Sequence, residues 1–217
     1  FKEGQWLLLA PTGYHLDKMC SDMRNQGIYF KRKGFFSVSQ ESIDAMFAWQ
    51  KLQQGERLFL DEVKLIYKYI SSKTGLKWGA KKLLGVTEDE TLTYEDLKGQ
   101  HGLLISIETP WHAALDRMSE REQRMINSLL KKKEDLKKPP RITVSTIHGA
   151  KGGEADNVML LTDISRKGLE EYYKNSEEMR RVFYTAMTRA KKQLHVVAPE
   201  TEIEFGEIRY DHQKRQR

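Results

Sequence analysis

The sequence is poor in cysteine and in long apolar runs, and each shortage removes a class of protein. One cysteine, Cys20, in 217 residues leaves no internal disulfide framework and no cysteine-rich zinc site. It fits a reducing compartment, where its simplest role is that of a small buried apolar residue. There is no signal peptide and no apolar stretch long enough for a bilayer, the longest strand-like runs being Trp6 to Ala10 and Val158 to Leu161. A soluble, intracellular protein without a membrane partner is expected. Also missing is G-x-x-x-x-G-K-[ST], the glycine-rich loop that cradles phosphates. The nearest stretch, Gly75-Leu-Lys-Trp-Gly79-Ala-Lys81, fails it in spacing and lacks the Ser or Thr. The chain opens at Phe1 and enters a strand almost at once, which reads as a cut through a longer polypeptide.

What is present is enough for a folded core. The chain is 39% hydrophobic, and its length suits one or two domains. Its 37 Lys and Arg against 31 Asp and Glu leave a formal charge of +6, a balance that mildly favours a polyanionic partner.

The opening reads as a βα unit. Trp6 to Ala10 is a short apolar run, Pro11-Thr-Gly13 turns it, and Leu16, Met19, Cys20 and Met23 carry helical spacing through Asn25. Gly27 ends that helix, and Ile28-Tyr29-Phe30 reads as a second strand. From Ser39 the pattern turns helical, through Ile43, Met46, Phe47 and Leu52 and then Val63, Ile66, Tyr67 and Ile70. Ser119 with Glu122 forms a capping box ahead of Ile126, Leu129 and Leu130. The charged stretch Lys131 to Pro140 closes on two prolines that cannot continue a helix. Strands at Ile142 to Thr146, Asn157 to Thr162 and Gln193 to Ala198, with a helix from Ser176 to Lys192, return the α/β grammar. The expected fold class is α/β. One α/β domain is assembled from 1–37 and 139–217, and a mainly helical insertion occupies 38–138.

Two segments carry the chemistry. Thr146-Ile-His-Gly-Ala-Lys-Gly-Gly-Glu154 leaves the carboxyl end of a predicted strand, where open α/β sheets place ligands. Gly149, Gly152 and Gly153 allow close backbone approach and positive φ. Lys151 brings a cation, Thr146 and His148 bring donors, and Glu154 can accept from sugar hydroxyls. Further on, Ser176 is a plausible N-cap, Glu177 and Glu178 lie in the first helical turn, and Lys191 and Lys192 lie in the last. Met179, Val182, Phe183, Ala186 and Ala190 form the core stripe, and Arg181, Thr185 and Arg189 follow at i+4 steps on another side. An arginine near that helix's end can make the bidentate contact to a transferring phosphate known as an arginine finger. The plain readings are a glycine-rich turn and solvated arginines.

Taken together, Thr146-x-His-x-Ala-Lys-Gly-x-Glu154 and Glu178-x-Arg-Arg-x-x-Tyr-x-Ala-x-Thr-Arg-Ala190 resemble motifs V and VI of the UvrD/Rep-type superfamily 1 DNA helicases. Upstream, Trp6 to Tyr29, then Gly34-x-Phe36 and Ile43-Asp-Ala45, look like the start of that family's second RecA-like domain. The resemblance covers both ends of the chain well and the middle poorly. It implies a RecA-like parallel sheet flanked by helices and interrupted by the insertion. It also implies that Glu154 holds the ATP ribose, that Gly152 and Lys151 shape the ATP loop, and that Arg189 contacts the γ-phosphate. Arg180 and Arg181 would support the interface between motor domains, with Arg181 at the ATP site. Thr146 and His148 would contact the DNA backbone, and Phe205 would stack a base of the tracked single strand. Two departures are visible: Gly153 and Ala155 replace bulkier residues around Glu154, and Ala10-Pro-Thr12 stands where many relatives carry an arginine.

The same resemblance places the phosphate loop and the ligands for Mg2+ on an N-terminal RecA-like domain upstream of Phe1, so this chain alone should not hydrolyse ATP. Its partners would be that domain, single-stranded DNA and duplex junctions, in a bacterial or phage-infected cytoplasm. The competing expectation is a non-enzymatic nucleic-acid-binding or scaffold module with a helicase-like fold. A pure scaffold has no chemical need for Lys151, Glu154 and Arg189 together.

Overall fold

Strands from both ends of the chain build one six-stranded sheet, while the stretch between them forms a unit of its own. The computed structural model describes residues 3–208; residues 1–2 and 209–217, included in the expected α/β domain, lie outside it. The first part reads β1 (Trp6–Ala10), α1 (Gly13–Asn25), β2 (Phe30–Arg32) and β3 (Phe35–Phe36). The middle reads α2 (Gln40–Gln53), β4 (Leu58–Phe59), α3 (Leu60–Tyr69), β5 (Thr91–Leu92), α4 (Tyr94–Gly99), α5 (Trp111–Ala114) and α6 (Glu120–Lys131). The last part reads β6 (Ile142–Thr146), β7 (Ala155–Leu161), α7 (Arg166–Lys174), α8 (Ser176–Met187) and β8 (Ala190–Val197). One compact unit comprises Phe1–Ser37 with Lys137–Arg217, the other Val38–Leu136.

The sheet order is β3-β2-β6-β1-β7-β8. All neighbours pair in parallel except β3, which runs antiparallel to β2 at one edge. This is the RecA-like arrangement of a mainly parallel sheet flanked by helices. The side chains of β1 alternate with period two between its faces. Leu7 and Leu9 join Val158, Leu160, Phe183 and Ala186 on one side. Leu8 and Ala10 join Leu16, Cys20, Met23, Phe30, Ile142 and Val144 on the other. Burial on both faces explains why β1 reads as an unbroken apolar run.

Helix α1 keeps Leu16, Cys20 and Met23 on its buried side. It ends where Gly27 takes φ +61°. This lets the Gly27 N–H reach Arg24 O at 3.0 Å and the Ile28 N–H reach Met23 O at 2.9 Å, a Schellman closure that favours glycine at the left-handed position. The strand that follows begins at Phe30, later than expected, because residues 27 and 28 are spent on that closure.

Behind β7, the buried carboxylate of Asp163 organises the return of the chain. Asp163 Oδ1 accepts from the N–H of Glu200 at 3.0 Å, the N–H of Thr201 at 2.8 Å and the Thr201 hydroxyl at 2.7 Å. With Asp163 only 3% exposed, Asp163→Ala strands these donors. It is expected to cost about 1–3 kcal/mol, measured as a shift in the urea midpoint.

In the other unit α2 packs on α3. The buried residues Ile43, Met46, Leu52, Val63, Ile66, Tyr67 and Ile70 follow the spacing read from sequence, Phe47 is only half-buried, and Trp49, outside that reading, is buried too. Trp49 Nε1 donates to Thr109 O at 2.9 Å, and the buried Ser42 hydroxyl donates to Glu122 Oε1 at 2.9 Å. The capping box expected at Ser119 forms only in half. Ser119 Oγ accepts from the Glu122 N–H, but the Glu122 carboxylate accepts from the Ser119 and Ser42 hydroxyls instead of reaching the cap's backbone.

Three expectations near the carboxyl end are corrected. Asn175, not Ser176, caps α8, its Oδ1 accepting from the Glu178 N–H at 3.4 Å. The helix stops at Met187 rather than Lys192, because from Ala190 onward the backbone pairs with β7 in parallel register. Lys191 and Lys192 are therefore strand residues that pair with Glu154 and Asp156 at 3.4 and 2.9 Å. A helix not anticipated, α7, fills the stretch before α8, its start capped by Ser165 Oγ accepting from the Gly168 N–H at 3.0 Å.

Candidate functional site

The loop after β6 is built by its own backbone. Ile147 N–H donates to Ala10 O at 3.0 Å, which ties the loop's start to the end of β1. A short 3-10 turn runs from His148 to Ala150, and its first bonds are Gly149 N–H to Thr146 Oγ1 at 3.0 Å and Lys151 N–H to His148 O at 3.3 Å. A Cβ on Gly149 would lie 2.9 Å from both Ser145 Oγ and Thr146 Oγ1, so a side chain there would have to displace both hydroxyls, including the one that accepts from the Gly149 N–H. Of the three loop glycines only Gly152 has positive φ, at +81°. The expectation that all three exploit that freedom is corrected to one.

The loop's end is fastened to the arginine. Ala155 N–H donates to Arg189 O at 3.1 Å, and Arg189 N–H donates to Ala186 O at 3.3 Å. Arg189 thus lies in the turn between α8 and β8, past the helix rather than on its face. The Thr188 hydroxyl bonding to Thr185 O at 2.9 Å closes that last helical turn.

These connections bring His148, Lys151, Arg181 and Arg189 to one cleft of about 320 Å³, completed by Ile147, Glu178, Val182 and Thr185. Three permanent cations face one carboxylate there, a balance suited to a polyanion. Arg189 is half-buried, and its guanidinium has no side-chain partner among the described residues. Arg181 makes only an exposed i,i+4 pair with Glu177 at 3.3 Å, of a kind worth about 0.3–0.5 kcal/mol and readily exchanged.

Four sequence-selected residues, Gly152, Glu154, Thr146 and Phe205, stand outside that cleft. Gly152 turns the loop beside it. Glu154 is exposed and paired with Lys191 at 3.4 Å, both side chains more than half accessible. Thr146 is half-buried, its oxygen engaged by the Gly149 N–H. A second cleft of about 460 Å³ opens at the carboxyl ends of the strands between Pro11, Thr12, Ser165, Lys167 and Asn175. His148, Glu178 and Val182 line both clefts. Sequence reasoning missed this second wall because it depends on α7.

Phe205 requires correction. Its ring is 4% exposed and stacks on Phe183 with centroids 4.1 Å apart and planes 4° from parallel; Tyr172 meets its edge at 5.8 Å. It belongs to the core beneath α8, and no face is open to a nucleic-acid base. His195, expected to be structural, stacks against Trp6 at 5.2 Å.

Arg180, expected at a domain interface, is engaged within the chain. Glu207 accepts from the Tyr172 hydroxyl at 2.6 Å and from Arg180 Nε at 2.8 Å. Tyr172, then Arg180, hold the Glu207 carboxyl below the ordinary glutamate range. A depressed folded-state pKa stabilises above the unfolded value, and that contribution is lost as pH falls through the folded one. Acidification below the ordinary glutamate pKa is therefore expected to loosen residues 203–208. Amide hydrogen exchange there should show an acid-dependent rise that Glu207→Gln removes.

No helix among the described residues is long and apolar enough to cross a membrane. Nor does any group of three or more His, Cys, Asp or Glu there stand ready to hold a metal ion. No curated protein matches the chain. Residues 112–201, which span β6, the glycine-rich loop, α8 and nearly all of the return to the sheet edge, match the family model of the UvrD-like helicase C-terminal domain. Over residues 112–201 the chain is therefore similar to the UvrD-like helicase C-terminal domain.

Proposed function

We propose that this chain completes the ATP site of a DNA-stimulated translocase. In this reading 1–37 and 139–217 form the second motor domain and 38–138 its insertion. The observation that carries the reading is the cationic cleft in which Arg189, without a side-chain partner among the described residues, meets Lys151 and Arg181. ATP is the substrate, bound between this domain and a partner domain that supplies the phosphate loop and the Mg2+ ligands. Arg189 reaches the γ-phosphate and stabilises charge that develops as it departs. Arg181 assists after leaving Glu177. Gly152 and Lys151 shape and charge the loop, and Glu154 holds the ribose. The exposed pair with Lys191 is no obstacle to that role, since such pairs contribute about 0–1 kcal/mol.

Single-stranded DNA, leading to a duplex junction, contacts His148 and Thr146. His148 lines both clefts, so one loop can sense strand and nucleotide together, and loss of the γ-phosphate contact releases the domains for the next step. The protein works in the cytoplasm of a bacterial or phage-infected cell.

The test is ATP hydrolysis by the polypeptide that joins this chain to a phosphate-loop domain, measured with and without single-stranded DNA. Hydrolysis that DNA accelerates, and that depends on Arg189, is the expected result. Hydrolysis indifferent to both would sink the reading and leave a nucleic-acid-binding scaffold.

A further inference from the structure

The loop between α3 and β5 presents a tryptophan to solvent in a way that the chain's other tryptophans avoid. Trp49 is buried with its ring nitrogen bonded, Trp111 is buried, and Trp6 donates to Glu3 O at 2.9 Å while stacking on His195. Trp78 is 99% exposed. A bare indole in water forgoes the burial that large aromatics normally provide.

The loop is not slack. Leu76 and Leu83 are buried at 2% and 6% exposure on either side of Trp78. Lys77 N–H donates to Gly102 O at 2.8 Å, and Gly102 lies so close that a Cβ there would be 2.9 Å from Lys77 Cβ. Two tight turns follow, with Ala80 N–H on Lys77 O at 3.1 Å and Lys82 N–H on Gly79 O at 3.1 Å. The ring is therefore held out by a hydrogen-bonded scaffold between two buried anchors.

Its surroundings are cationic. Lys73, Lys77, Lys81 and Lys82 are all exposed, and no acidic residue occurs from Ser71 to Val86. Burial, then the nearby Arg117, pulls Lys81 below the ordinary lysine range against an opposing Asp116. Asp116 already accepts from the Ser71 N–H at 2.8 Å. An accessible aromatic face with four exposed lysines within five residues of it in the chain matches one ligand chemistry: a base to stack and phosphates on each side.

We propose that the Trp78 loop is a second binding site for single-stranded nucleic acid, with one base stacking on Trp78 and the adjoining phosphates paired to Lys77, Lys81 and Lys82. It extends the DNA-motor reading to the 38–136 unit and does not depend on ATP binding at Arg189.

The experiment titrates the 217-residue chain with an oligothymidine of about 16 nucleotides, reading tryptophan fluorescence and the anisotropy of a labelled strand. Binding is expected to quench the emission of the exposed indole. Trp78→Ala should remove that quench and weaken binding about ten-fold, and Trp78→Phe should recover part of the affinity. Joint Lys77→Ala, Lys81→Ala and Lys82→Ala should reduce the salt slope of log Kd by about two. Because Trp78 is fully exposed, the alanine variant keeps its fold, which circular dichroism verifies. An affinity unchanged within two-fold, with the quench intact, overturns the proposal and assigns the loop to a protein partner. Trp78-dependent quenching in a protein whose hydrolysis ignores DNA would defeat the motor reading alone.

Discussion

Arg189→Ala is expected to lower DNA-stimulated ATP hydrolysis by about 10³ to 10⁵ while leaving single-strand affinity within about two-fold, the range seen when an arginine finger is removed. The magnitude follows from position. The guanidinium lines the cleft with Lys151 and Arg181, without a side-chain partner among the described residues that would hold it elsewhere. What fixes Arg189 is its backbone, through bonds to Ala186 and Ala155 at 3.3 and 3.1 Å. Alanine preserves both, so the loss should appear in turnover and not in stability. Lysine should rescue poorly, because one ammonium cannot reproduce the planar, two-pronged contact of a guanidinium. Steady-state hydrolysis at saturating DNA decides the matter, and a loss smaller than ten-fold would remove Arg189 from the reaction.

Phe205→Ala is expected to destabilise the α/β unit by about 3–5 kcal/mol, the cost of emptying a well-packed aromatic site. The ring lies face to face with Phe183 and edge-on to Tyr172. Ile164, Ala186 and Leu160 belong to the same cluster, so few mobile groups are available to refill the void. Denaturant unfolding should register the loss in full, and the folded fraction should bind single-stranded DNA as tightly as before. The opposite result, stability retained with affinity lost, would return Phe205 to the base-stacking role that the helicase resemblance implies.

Several elements were legible because their cause is local. β1 begins and ends where its apolar run does, since a strand covered on both faces needs nothing but apolar residues, and β6 shows its alternation in the buried Ile142 and Val144. The helical spacing of Leu16, Cys20 and Met23 is equally self-contained. The start of α7 had a signal, Ser165, but its body has no buried residue. Leu169 and Tyr172 at i, i+3 pack against the core, a signal too short over nine residues to stand out from the charged stretch around it.

The carboxyl end shows where local reasoning stops. Residues 188 to 192 continue a good helix pattern, with alanine and lysine as favourable residues. They leave the helix because Ala155 N–H and the β7 ladder claim their backbone, and a parallel pairing cannot be read from either strand alone. Gly149, Gly152 and Gly153 look equivalent in sequence, yet only Gly152 takes positive φ. The turn after Thr146 decides which glycine bends and which merely makes room.

By itself the sequence determined the α/β class, the strand that ends at Thr146 and the glycine-rich loop that follows it. Each of these rests on side-chain chemistry or on spacing within one element. Only the tertiary structure decided that Arg189 joins His148, Lys151 and Arg181 at one cleft, that Glu154 rests against Lys191, and that Phe205 is core. Those outcomes depend on backbone hydrogen bonds and packing between segments distant in the chain, where the energy of a contact belongs to neither segment alone.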